Sequence, residues 1–313
     1  MNKIYFFILQ AVLLQLAGST SLRFLKPNVE VLEVSDLSSL EVSLHCGEQY
    51  EGQQIHWERN GESISETGNR ITVTIDGLRG GNFTCHRANG DLLNHTLLLV
   101  HPVKFPKGGV LTKSSDGEFV SCTARNYNGQ FHCSWKWHQE RNKRAVVYFT
   151  AIRNSSLINC TLDSDISGLT CIDKEYCPYS EEPRSINLTL FVRNLYRLEE
   201  HQRTFFIRDI AKPDKVNITK IEDDEFEWRP PKTWSFPCSF FPLSYEVKVV
   251  PNSHDCDHTG SRVEKMETNG THYKVNIKRP YTFCVRAQDP LTNKVWSDWS
   301  HHQKRKHRHT SEQ

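Results

Sequence analysis

The chain has 313 residues, 39 of them lysine or arginine against 37 aspartate or glutamate, for a formal net charge of +2. That length excludes a single small domain and suits two or three domains of roughly 100 residues each. Positive charge crowds into residues 301–313, where Lys304, Arg305, Lys306 and Arg308 meet only Glu312, so the body is near neutral, and no nucleic-acid partner is expected.

At the N-terminus, Lys3, an apolar run from Ile4 to Leu16 and small residues from Ala17 to Ser21 have the layout of a secretory signal peptide, assigned to 1–21. No later apolar run approaches the roughly 18 residues of a membrane helix. A secreted, extracellular chain without membrane insertion is therefore expected. Sequons at Asn82, Asn94, Asn154, Asn159, Asn187, Asn217 and Asn269 are the expected glycosylation sites. Ten cysteines read as a disulfide set, because an oxidising compartment lets bridges persist and small cores gain from them.

Short apolar strands alternate with Gly, Asn and Pro turns, and no long run has helical period, so the fold class is all-β, in stacked sandwiches. Val42, Leu44 and Cys46 fall on one face of EVSLHC; YEVKVV (Tyr245, Val247, Val249) and YKVNI (Tyr273, Val275, Ile277) repeat that period of two. Proline-bearing joints at Val100 to Gly109 and Ile207 to Val216 divide the chain into domains at 22–101, 102–211 and 212–300, followed by a basic tail at 301–313.

In the first domain, Cys46, Trp57 and Cys85 resemble the immunoglobulin arrangement, in which a bridge between two sheets packs on a tryptophan. Phe83 stands where such domains usually place a tyrosine whose hydroxyl bonds back to the chain; the packing is kept and that bond is lost. The second domain carries CTARNYNGQFHCSW, with Cys122, Cys133 and Trp135, and the third carries VWSDWS, with Trp296, Ser297, Asp298, Trp299 and Ser300. Together these resemble the two signatures of the haematopoietic (class I) cytokine-receptor module: a cysteine pair with Cys-x-Trp in one fibronectin type III domain, and Trp-Ser-x-Trp-Ser in the next. In YTFCVRAQD, Tyr281, Phe283 and Val285 take one strand face and Thr282, Cys284 and Arg286 the other, so Arg286 can project beside Trp296 and Trp299. Guanidinium over indole contributes about 0.5 to 2 kcal/mol, which makes the motif a brace and not a ligand site.

An immunoglobulin-like domain ahead of that module, in a secreted chain, is similar to the receptor-like subunits of heterodimeric cytokines. The resemblance implies an N-terminal immunoglobulin-like sandwich followed by two fibronectin type III sandwiches. It implies a subunit disulfide-linked to a four-helix alpha subunit and engaging a cell-surface cytokine receptor in immune signalling. The alternative is a soluble cytokine receptor or decoy that binds a helical cytokine non-covalently. It implies the pairs Cys46–Cys85, Cys122–Cys133 and Cys160–Cys171, and places the interchain disulfide at Cys177; a Cys171–Cys177 ring and a free or capped thiol are the alternatives. The third domain departs from the pattern, with Cys238, Cys256 and Cys284 and no cysteine after the tryptophan motif. There Cys238–Cys284 is the preferred pair, from their positions about two expected neighbouring strands, and Cys256 is left single or bridged to a second copy of the chain.

Carried over by motif, the alpha-subunit contacts are Tyr127, Glu181, Phe240 and Asp289, with Asp289 receiving an arginine of the partner. Each has a plainer explanation: Asp289 as a turn former before Pro290, Tyr127 as a cover for the Cys122–Cys133 bridge, Glu181 as a solvated loop charge. Leu291 and Thr292 stand where the family places aromatics. His254, Cys256 and His258 are zinc-ligand types on one face of an extended chain, but no second ligand pair lies near in sequence and the stretch reads as a loop. No metal or other cofactor is expected. The His-rich tail suits sulfated glycans and other anionic surfaces. Gly-x-Ser-x-Gly, His-Glu-x-x-His and phosphate-binding glycine loops are all missing from the sequence, so catalysis is not expected.

Overall fold

A computed structural model of the chain describes residues 22–35, 39–76, 79–103, 109–115, 117–138, 145–178, 181–235, 242–251, 254–260, 263–292 and 295–304. Almost all regular structure in it is β-strand, as the short alternating apolar runs require. No helix among these residues is long and apolar enough to cross a membrane. Contacts divide the chain into two compact units: Met1–Thr112 with Trp137–Phe149 and Leu190–His201, and Lys113–Lys136 with Thr150–Thr189 and Gln202–Gln313.

The first unit is built around an immunoglobulin-like sandwich. One layer runs through Glu62–Thr67, Ile55–Arg59, Gly81–Arg87, Leu92–Pro102 and Val29–Val34; the other pairs Leu40–His45 with Arg70–Ile75. Period-two alternation sends Val42, Leu44, Ile71, Val73 and Ile75 inward against Trp57, Phe83 and Leu98. Cys46 and Cys85 join the layers, Cα to Cα 6.0 Å. Trp57 packs beside them, 1% exposed, its Nε1–H donating to the Gly68 carbonyl at 2.9 Å. Phe83 is fully buried, and the Arg59 guanidinium lies 5.4 Å from its ring centre. Leu92–Pro102 departs from simple alternation, being buried from Leu98 to Val100. Leu98 and Val100 face the sandwich core, while Leu99 turns to a second cluster with Val29, Val31, Phe191 and Leu198. A strand covered on both faces reads as a continuous apolar run, which is why LLLV shows no alternation.

The second unit holds fibronectin-type sheets. Its four-stranded run, Val120–Thr123, Gln130–Trp137, Gly168–Ile172 and Asn159–Leu162, sets Cys122 opposite Cys133 and Cys160 opposite Cys171. Each pair is a disulfide with Cα atoms 4.0 Å apart. Further along, Asn217–Glu222, Glu225–Arg229 and His272–Lys274 form one sheet, and Glu264–Thr268, Ser244–Pro251, Tyr281–Gln288 and Ser300–Lys304 another. Phe226 stacks on Phe283 at 4.2 Å, and Trp228 meets Tyr245 edge-on at 5.7 Å. YKVNI contributes only its first part, since the strand is His272–Lys274.

Two sequence expectations are corrected here. Cys284 bridges Cys256, Cα to Cα 5.9 Å, and not Cys238, which lies outside the described residues. The register gives the reason: Ser244 pairs with Gln288, Lys248 with Cys284 and Pro251 with Tyr281. The chain entering from the Cys238 side therefore arrives at the Gln288 end. The chain leaving past Pro251 turns back over the outer face, where Lys248 Nζ donates to the Cys256 carbonyl at 2.8 Å. The second correction concerns the tail, whose first residues are strand. Ser300–Lys304 pairs with Tyr281–Gln288, Cys284 opposite His301 and Tyr281 opposite Lys304, and residues 305–313 lie outside the described residues.

Candidate partner-binding site

Of the four contacts carried over by motif, the structure brings Tyr127 and Asp289 together. The Tyr127 hydroxyl donates to Asp289 Oδ2, Asp289 Oδ1 accepts the Leu291 N–H at 2.9 Å, and the two residues are 2% and 1% exposed. Burial first, and the bond to Asp289 second, push the phenol well above its ordinary range. Trp234 closes on the Tyr127 ring edge-on at 6.0 Å, and the neighbouring Asn126 Nδ2 donates to the Thr233 carbonyl at 2.6 Å. Asp289 is thus more than a turn former: both its oxygens accept hydrogen bonds inside the chain. Glu181 is exposed, and Phe240 lies outside the described residues.

Cys177 is half-buried and, among the described residues, is the one cysteine outside a disulfide. Its surroundings are held by residues that no motif singles out. Arg153, on the strand Ala145–Arg153, places Nε 2.7 Å from Asp173 and Nη2 2.7 Å from Glu182, with all three side chains almost fully buried. Glu182 also accepts the N–H groups of Ile207 and Arg208, both at 3.1 Å, at the start of the one-turn helix Ile207–Ile210. The signal for this group in the sequence is faint. It is an arginine ending a strand whose inward neighbour is the buried Ala151, and a Glu pair of which only the second points inside.

The tryptophan motif forms the expected brace. The Arg286 guanidinium lies 4.8 Å from the Trp296 ring centre and 4.4 Å from that of Trp299, and Glu246 holds it from the other side at 2.8 Å. Lys248 adds a second cation 5.6 Å from Trp299, and Trp299 Nε1 donates to Asp257 at 2.9 Å. The serines stitch strands: Ser297 exchanges bonds with Ala287 through its N–H at 2.7 Å and its hydroxyl at 2.9 Å, and the Ser300 hydroxyl donates to the Val216 carbonyl at 2.6 Å. In HDCDH, the Cys256 sulfur is taken by its bridge and the rings of His254 and His258 stack at 3.7 Å. Among the sequons, Asn154, Asn159, Asn187, Asn217 and Asn269 are exposed and Asn82 is half-buried. Asn94 differs, its Nδ2 donating to the Cys46 carbonyl at 2.7 Å.

Residues 117–194 match the family described as cytokine interleukin-12p40 C-terminus. Interleukin-12 subunit beta of Mesocricetus auratus is 28% identical over 307 residues, covering 88% of this chain and 90% of that protein. The Lama glama protein of that name is 28% identical over 312 residues, covering 88% and 91%. The Homo sapiens protein is 26% identical over 318 residues, again covering 88% and 91%. With an immunoglobulin-like sandwich, fibronectin-type sheets and the braced Trp-Ser motif already in place, the chain is similar over nearly its full length to interleukin-12 subunit beta, and these similarities support a cytokine subunit.

Proposed function

We propose that this chain is the secreted, glycosylated, receptor-like half of a heterodimeric cytokine of interleukin-12 or interleukin-23 type, joined to a four-helix alpha subunit by a disulfide at Cys177. In that assembly the immunoglobulin-like domain engages a cell-surface cytokine receptor. The observation that carries the proposal is Cys177: a half-buried thiol left unpaired in a chain whose other described cysteines are bridged. The helical subunit docks beside Tyr127, Glu181, Phe240 and Asp289, and a partner arginine reaches Asp289 by sharing or displacing the Tyr127 hydroxyl. Of these, Tyr127 and Asp289 are buried, and at interfaces a few well-packed anchors supply most of the binding free energy.

Co-expression with the four-helix cytokine subunits of the same organism, followed by non-reducing gels, tests this reading. The native chain is expected to give a covalent heterodimer, and Cys177→Ser to reduce it to a complex that separates on the gel. A covalent band that survives Cys177→Ser removes the Cys177 assignment. A native chain that binds its partner without any covalent band favours the decoy reading.

A further inference from the structure

The segment that carries Cys177 is tied down on both sides by one side chain. Arg153 makes two hydrogen bonds and one ion pair: Nη2 donates to Glu182 Oε1 at 2.7 Å, Nη1 donates to the Arg184 carbonyl at 2.6 Å, and Nε lies 2.7 Å from Asp173 Oδ2 outside hydrogen-bond geometry. Asp173 stands before Cys177 and Glu182 after it, so a single fixed fork gathers both ends of the stretch. The anchors are themselves fixed. The Asp173 N–H donates to the Gly129 carbonyl at 2.9 Å, and Asp173 Oδ1 accepts the Glu175 N–H at 2.9 Å.

Gly129 adds an independent support. It has φ of +80°, and a Cβ built there would lie 2.4 Å from the Asp173 carbonyl oxygen and 2.8 Å from the Tyr176 Cβ. The chain just ahead of Cys177 therefore rests on bare glycine backbone. A buried ion cluster is weak evidence for stability, since well-packed apolar groups do as well in its place. A planar guanidinium does impose direction, because its donors reach two carboxylates only in one geometry. Disulfide exchange in turn depends on how a thiol is presented to the sulfur it attacks.

We infer that Arg153 and Gly129 are positioning residues for interchain bond formation, in which the Cys177 thiolate attacks a mixed disulfide between the partner's cysteine and an oxidising thiol carrier of the secretory compartment, and the carrier leaves as its thiolate; they hold the Cys177 segment where that sulfur meets it. This rests on the reading of Cys177 as the partner-bonding residue. Three variants separate the two claims. Arg153→Lys keeps the charge but cannot span both carboxylates, and Gly129→Ala displaces the segment without removing a buried charge. Both are expected to lower the covalent heterodimer fraction at least fivefold, while maleimide labels Cys177 in the isolated secreted chain as fast as in the native protein or faster. Loss of the bond at an undiminished thiol reactivity identifies positioning. An unchanged covalent fraction in Gly129→Ala overturns the inference, as does a fall in labelling that matches the fall in heterodimer. If Arg153→Lys is not secreted, Gly129→Ala decides alone. Cys177→Ser is the control: a covalent band that survives it overturns the assignment of Cys177 and the inference with it, whereas its disappearance beside an unaffected Gly129→Ala overturns the inference only.

Discussion

Tyr127 and Asp289 lie 162 positions apart in sequence, yet both are buried, and the Tyr127 hydroxyl and Asp289 Oδ2 satisfy one another there. The phenol is held above its ordinary pKa by burial and by Asp289, so it remains a donor throughout the physiological range. Tyr127→Phe keeps the ring against Trp234 and leaves Asp289 with the Leu291 N–H alone on this count. A buried acceptor that loses its partner costs about 1 to 3 kcal/mol, so the urea midpoint of the isolated chain is expected to fall accordingly. A midpoint equal to that of the native protein contradicts the role given to this bond. Either residue could be named from its motif, but their mutual contact could not, because no local pattern of NYNG or AQDP specifies the other.

At the scale of elements, the alternating strands were legible because each side chain's face follows from a period of two. Arg286, two positions beyond Cys284, projects with it to the outer face and meets Trp296 and Trp299 as that alternation requires. Register was not legible. Placing Cys284 beside Cys238 or Cys256 depends on which end of Ser244–Pro251 it faces, and a neighbouring-strand argument without the pairing Lys248 to Cys284 leaves both open. The burial of Leu98 to Val100 on two faces was likewise hidden, because a run of apolar residues does not state what covers each side. The observed bridge spans 28 positions, a loop whose closure is worth about 3 to 4 kcal/mol in the chain-entropy account. Replacing Cys256 and Cys284 together by serine is expected to lower unfolding free energy by about that amount, while Cys238→Ser leaves it unchanged. Tryptic peptides linking Cys238 to Cys284 in the native protein would count against this pairing.

For the whole molecule, charge was the coarsest signal and the most easily misread, since part of the basic tail turned out to be strand. Lys304 closes that strand on Asp224 and His302 packs over Phe226, ring centres 5.4 Å apart. Burial first, then Lys220 and His301, lower the His302 pKa below its ordinary 6.5. The unfolded chain therefore takes up a proton near pH 6.5 that the folded chain resists. Stability is full above that pH and is lost as pH falls below it. The pKa of Asp224 is also lowered, chiefly by its bond to Lys304, from an ordinary 3.8; its contribution is present above that value and is lost only in stronger acid. Both pH 7.5 and pH 5.5 lie above the carboxylate's window, so a comparison of thermal midpoints at about those values isolates the imidazole from this carboxylate. His302→Gln is expected to shrink the drop between those pH values, and Lys304→Met to leave that drop unchanged while weakening the protein at both. A drop that His302→Gln does not alter would mean that another histidine governs the acid limb, and that the closing strand is held by its backbone ladder without any cost from the half-buried ring.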